Sequence, residues 1–141
     1  MHVTLRPHQI AAADAVEEAW RAGIKRPLVD ACVGSGKSLL YAELARREWE
    51  RGGRSLILSH TRELVLQNAA ACRMLGLTTG INAAALGERT WRAPVISAAI
   101  QSVYRHANAF GPIALVCIDE SHLLNHSENG MYHEFLRGFP Q

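Results

Sequence analysis

The stretch Ala31-Cys32-Val33-Gly34-Ser35-Gly36-Lys37-Ser38 joins two closely spaced glycines to a lysine and a hydroxyl. It follows an apolar run, Pro27-Leu28-Val29-Asp30, and precedes a helical pattern. Strand, glycine-rich loop and helix, in that order, is the context in which backbone N–H groups turn inward and cradle phosphate oxygens. The positive end of the following helix dipole adds to the attraction. Gly34 and Gly36, flanking Ser35, let the backbone take positive φ and come close to a ligand. Lys37 would put a point charge on the terminal phosphates, and the Ser38 hydroxyl can ligate Mg²⁺. The common form of such a loop, G-x-x-x-x-G-K-[ST], has a glycine where this chain has Ala31. At average residue usage the pattern A-x-x-G-x-G-K-S should arise by chance in a chain of this size on the order of once in a thousand or less. The alternative is an ordinary Gly/Ser turn between strand and helix, which has no need of Lys37.

A second group of reactive side chains is Asp119-Glu120-Ser121-His122, directly after the apolar run Ile113–Ile118. The carboxyl end of a parallel strand faces the ligand crevice of an α/β sheet. Two adjacent carboxylates there can divide the labour. Asp119 could hold Mg²⁺ through water, and Glu120 could orient and deprotonate the water that attacks a γ-phosphate. With Lys37 and Ser38 this makes a phosphate cradle, a metal site and a base. Taken alone, the four residues could equally be an acidic turn that caps the next segment.

Composition limits the class of protein. The chain has 141 residues, enough for one domain, with 48% hydrophobic and 20% charged residues. No apolar stretch is long enough to span a bilayer. The start, Met1-His2-Val3-Thr4-Leu5-Arg6, has no apolar signal core. Cys32, Cys72 and Cys117 are odd in number and lack a C-x-x-C, which suggests reduced thiols in a cytoplasm rather than a disulfide framework. The formal charge of +2 is too weak to argue for nucleic acid by itself.

The elements that must position these groups follow from periodicity. Gln9 to Arg21 reads as an amphipathic helix, with Ile10, Ala13, Val16 and Trp20 on one face and Asp14, Glu17, Glu18 and Arg21 mostly off it. Leu28 to Cys32 reads as a buried strand. Lys37 to Arg51 reads as a helix with Leu40, Leu44 and Ala45 inward, stopped by Gly52-Gly53. Ser55–Ser59 reads as a strand. Thr61 to Leu75 reads as a helix with Leu64, Val65, Asn68, Ala71, Cys72 and Leu75 inward, ended by Gly76. Gly80 to Ala85 and Val95 to Ala98 read as strands, Ile100 to about His106 as a short helix, Ile113–Ile118 as the clearest strand, and Met131 to Leu136 as a final helical turn or two. Apolar strands alternating with helices imply a parallel sheet covered by helices on both faces. Residues 1–141 read as one α/β domain, without repeats or linkers.

The phosphate loop and D-E-S-H together resemble a DExH-type superfamily-two helicase, in its first RecA-like motor domain. Three weaker segments fit the same family. Leu5-Arg6-Pro7-His8-Gln9 is similar to the adenine-reading Q motif, Ser59-His60-Thr61-Arg62-Glu63-Leu64 to motif Ia, and Ser97-Ala98-Ala99-Ile100-Gln101-Ser102 to motif Ib. Spacing is most similar to the RadD-like branch and to helicase subunits of restriction-type enzymes. The resemblance implies an ATP-binding motor that couples Mg²⁺·ATP hydrolysis to movement on DNA or RNA. It assigns ATP to Arg6, Gln9, Gly34, Ser35, Gly36, Lys37 and Ser38, Mg²⁺ to Ser38 and Asp119, and catalysis to Lys37, Asp119 and Glu120. His122 would link nucleotide state to a second motor domain. Thr61, Arg62, Gln101, Ser102 and Arg105 would contact a nucleic-acid backbone, DNA in the first instance, without reading bases. A Gln9 amide offers the donor and acceptor that adenine requires.

Alternatives stay open for the weaker segments. Gln9 could be a polar residue at a helix start, Arg62 a solvated side chain on a capped helix, and Gln101, Ser102 and Arg105 a solvated helix face. His122, His126 and His133 do not fall into a metal-ligand pattern on a good helix, which argues against zinc. The family's Ser/Thr-Ala-Thr strand, second motor domain and arginine finger are absent from the 141 residues. The resemblance therefore implies an incomplete domain of a longer parent, nearly inert alone. The rivals are a nucleotide- or nucleic-acid-binding fragment without turnover and a P-loop phosphotransferase, for which no acceptor pocket or Arg-rich lid is evident.

Overall fold

Helix α1 spans Pro7–Arg21, and Pro7 suits its first turn because an N–H there would have no intrahelical partner. The computed structural model describes residues 5–23 and 37–118, together with Gly130, Met131, Glu134, Phe135 and Arg137. Helix α2 is Lys37–Glu50 and helix α3 is Arg62–Met74. The glycine stops expected from the sequence are present. Gly52 and Gly76 follow the two helices at φ +87° and +83°, a backbone conformation that side chains disfavour. Thr61 caps α3, its Oγ1 accepting from the backbone N–H of Leu64 at 3.2 Å.

Strands β1 (Ser55–Ser59), β2 (Thr79–Ala83), β3 (Glu88–Arg89), β4 (Val95–Ala99) and β5 (Leu115–Ile118) form one sheet in the order β3-β2-β4-β1-β5. β1 pairs in parallel with β4, Ser55 opposite Val95, and with β5, Ser55 opposite Leu115. β2 pairs in parallel with β4. Among the described residues the exception to parallel pairing is β3, a two-residue antiparallel edge beside β2. Its residues, Glu88 and Arg89, carry no apolar signal, so periodicity does not reveal it. The strand expected over Leu28–Cys32 lies outside the described residues.

Both faces of the sheet are covered, as apolar strands require. Ile57, Val95, Leu115 and Cys117 point into a core shared with Ala13 and Val16 of α1, Leu40, Leu44 and Ala45 of α2, and Ala71 and Cys72 of α3. Leu56, Leu58, Ile96 and Ala98 point the other way, into a core with Phe110, Phe135 and, from helix α4 (Ile100–Val103), Ile100 and Val103. All five residues of β1 are buried, because the strand is central and sandwiched. The helical segment near the C-terminus contributes Phe135, fully buried against Phe110 with ring centroids 6.1 Å apart.

One face of α1 differs from the periodicity argument. Ile10 is 41% exposed, whereas Gln9 and Glu17 are buried. Glu17 goes inside because Arg47 and Arg51 receive it, and the Arg6 backbone N–H at the start of the same helix donates to Gln9. Burying a hydrogen-bonded polar group costs little, and leaving one isoleucine wet forfeits about 1.5–3 kcal/mol at most.

Candidate functional site

Lys37 and Ser38 open α2, immediately after the phosphate-loop motif. The Ser38 hydroxyl donates to Asn68 Oδ1 at 2.8 Å, and Asn68 Nδ2 donates to Ser59 Oγ at 3.0 Å. Asn68 lies on α3 and is fully buried; Ser59 is the last residue of β1. Three elements thus meet at the carboxyl end of the central strand. β5 ends at Ile118, opposite Leu58, and Asp119 and Glu120 follow in sequence. Gly34, Ser35, Gly36, Asp119, Glu120 and His122 lie outside the described residues. The donor chemistry suits Mg²⁺. The Ser38 proton is directed at Asn68, which leaves the oxygen's lone pairs to face a hard cation.

Helix α1 brings Arg6 and Gln9 to the start of its first turn. The Arg6 backbone N–H donates to Gln9 Oε1 at 2.8 Å, and Gln9 is only 3% exposed. The side chain is therefore oriented by its own helix end.

A network of ion pairs locks α1 to α2. Arg47 donates from Nε to Glu43 Oε2 at 2.7 Å and from Nη1 to Asp14 Oδ1 at 2.9 Å and Glu17 Oε2 at 3.1 Å. Arg46 makes a two-pronged pair with Glu43 at 2.7 and 2.8 Å, and Arg51 also pairs with Glu17. Burial pushes the Glu43 carboxyl up, but the hydrogen bonds and charges of Arg46 and Arg47 outweigh it and hold the group below its ordinary 4.5. Glu17 behaves the same way, with burial opposed by Arg51 and Arg47. Burial works against the charge of Arg47, but the same contacts outweigh it and hold the guanidinium above its ordinary value.

On the far side of β1 the strand ends open into a groove of about 630 Å³. His60 and Arg62 line it after β1, Ala84 and Ala85 after β2, and Gln101, Ser102, Tyr104 and Arg105 after β4. Arg89 of β3 closes one side. Arg62, Arg89 and Arg105 face the groove, and none of the described residues that line it carries a carboxylate. Arg62 is 3.6 Å from Glu63, but both are well exposed, so the pair is worth only about 0–1 kcal/mol and does not withhold the guanidinium from a phosphate.

Four of the five residues expected to touch nucleic acid converge here. Gln101 and Ser102 also hold the walls together. Gln101 Nε2 donates to the His60 carbonyl at 2.7 Å, and the Ser102 hydroxyl accepts from the Ala84 N–H at 2.9 Å. Thr61, the fifth, uses its hydroxyl to cap α3 and is not part of the lining. Arg89 is the residue that motif reading misses. It lies on the edge hairpin, donates to the Ser102 carbonyl at 2.9 Å and stacks over Trp91 at 5.3 Å. Asn68 had a signal, a polar residue in the middle of an otherwise apolar helix stripe.

Similarity to known proteins follows the same line. The family model described as "Type III restriction enzyme, res subunit" matches residues 2–140. The protein named "Putative ATP-dependent helicase IRC3" of Saccharomyces cerevisiae is 30% identical over 146 residues, which is 96% of this chain. The chain spans 21% of that relative's length.

Proposed function

The chain belongs to the family of the type III restriction enzyme res subunit, and on that premise we propose that it binds Mg²⁺·ATP and the backbone of a nucleic acid, as the ATP-hydrolysing motor domain of a DExH-type helicase or translocase. The observation that supports this most directly is an arrangement in space. The start of α2, with Lys37 and Ser38, and a groove with three arginines both border the carboxyl ends of parallel strands. Those strand ends are where α/β sheets take ligands.

In this reading the backbone of Gly34, Ser35 and Gly36 cradles the phosphates and Lys37 neutralises their terminal charge. Ser38 and Asp119 would hold Mg²⁺, which would supply positive charge against that of the phosphates. Glu120 orients the attacking water and accepts its proton. Gln9, held by the Arg6 backbone, reads adenine. Arg62, Gln101, Ser102 and Arg105 contact phosphates of a single strand of DNA, with His122 coupling nucleotide state to a second motor domain of the whole protein. That second domain and its arginine finger are part of the proposal. Cys72 is a buried free thiol, which supports a reducing cytoplasm as the setting.

Lys37→Ala tests the reading. Its removal should weaken Mg²⁺·ATP binding by about tenfold or more, the worth of a charge-assisted contact to phosphate. Isothermal titration of the two proteins decides it, and equal affinities would sink the assignment. Turnover stimulated by a small acceptor rather than by single-stranded DNA would favour a phosphotransferase.

A further inference from the structure

A serine hydroxyl at the start of a helix can rotate among three staggered positions and can donate or accept in each. A residue that must present lone pairs to a metal gains from having its proton held elsewhere. Ser38 has such a holder. Its hydroxyl donates at 2.8 Å to the amide oxygen of Asn68, 30 residues away on α3. Asn68 in turn is anchored. It has no exposed surface, and its amide nitrogen donates at 3.0 Å to the Ser59 hydroxyl at the end of β1. The amide nitrogen faces Ser59 and the amide oxygen faces Ser38, so the end presented to the serine is an acceptor. An acceptor takes the serine's proton and leaves its lone pairs outward. A donor in the same place would occupy one of them.

We propose that Asn68 is a positioning residue for the nucleotide's metal: through the chain Ser38–Asn68–Ser59 it fixes the Ser38 hydroxyl with its lone pairs turned towards Mg²⁺. The inference rests on the nucleotide-binding reading above. It adds a residue outside the phosphate loop and the acidic motif, and it makes α3, the helix that carries Arg62 at its first turn, part of the nucleotide site.

The test separates metal-dependent from metal-independent affinity. ATP binding is titrated with Mg²⁺ and with EDTA in the unaltered chain, Asn68→Ala, Ser38→Ala and the double variant. The gain in affinity that Mg²⁺ confers should fall about tenfold in Asn68→Ala, the usual cost of removing the partner of a metal ligand, while affinity in EDTA stays unchanged. In the Ser38→Ala background, Asn68→Ala should cause no further fall. Equal losses with and without metal would show a merely structural role and overturn the proposal. So would an unchanged metal gain, or an increased one, which would mean that the amide competes with the metal. If the unaltered chain binds no ATP in either condition, the nucleotide-binding reading fails first and takes this inference with it. Should Asn68→Ala fail to melt cooperatively, Ser59→Ala serves instead. It releases only the far end of the amide, should lower the metal gain in the same direction by less, and overturns the proposal if the gain is unchanged.

Discussion

Arg47 on α2 reaches across to Asp14 on α1, Nη1 to Oδ1 at 2.9 Å, while the same guanidinium holds the buried carboxylates of Glu17 and Glu43. One side chain thus fastens the helix that carries Gln9 to the helix that carries Lys37 and Ser38. Arg47→Met keeps much of the stem and removes the charge. It removes one partner from each of two carboxylates whose side chains are 10% and 4% exposed. Arg46 and Arg51 remain, so the loss should fall at about 3 kcal/mol, the low end for breaking a buried pair. Arg21→Ala is the contrast, since Arg21 is 75% exposed and 3.9 Å from Glu17, and should cost about 0–1 kcal/mol. Urea melts of both variants measure this, and equal losses would contradict it.

The same network sets an acid limit. Glu17 and Glu43 sit below the ordinary 4.5 in the folded chain. Between that value and their lower folded values the unfolded chain binds more protons, so stability falls as pH falls. Above 4.5 their contribution is fully present. Melts from pH 7 downward should show a plateau and then a decline that starts near pH 4.5. In Glu43→Gln the decline should be shallower. Parallel declines would remove Glu43 from the account.

Arg62, Arg89 and Arg105 line one groove, and each phosphate they neutralise releases a counterion. Arg89→Ala and Arg105→Ala should each weaken single-stranded DNA binding and lower the slope of log affinity against log salt by about 0.7. Arg89→Ala also removes the bond to the Ser102 carbonyl, so Arg89→Lys is the control that retains charge. Fluorescence anisotropy at several salt concentrations gives the slopes. A slope unchanged in Arg89→Ala would exclude Arg89 from the contact.

Glu120→Gln should bind Mg²⁺·ATP as before and lose hydrolysis, because an amide cannot accept the water's proton. The proton step alone is worth about a hundredfold or more in rate. The measurement is phosphate release from ATP in the full-length protein with single-stranded DNA present. Release at the unaltered rate would mean that Glu120 is not the base.

The sequence determined the local parts of this molecule. The apolar period and the glycine stops yielded α2, α3 and β1 nearly residue for residue, since those signals act over a few neighbouring positions. Short motifs pointed to a candidate phosphate loop and an acidic pair, most of which lie outside the described residues, and to Arg62, Gln101, Ser102 and Arg105 of the groove. Only the tertiary structure decided which polar groups go inside. Helical periodicity shows which face of α1 is apolar, yet Glu17 is buried and Ile10 exposed because Arg47, 30 residues away from Glu17, supplies the compensating charge. The two-residue β3 exists because β2 offers it an edge to pair with, and that edge brings Arg89 to the groove. Asn68 could be placed inward from its helix, but its partners Ser38 and Ser59 lie on two other elements. Burial of a charge or an amide depends on partners brought together by chain closure, and a pattern of neighbours along the chain carries no record of them.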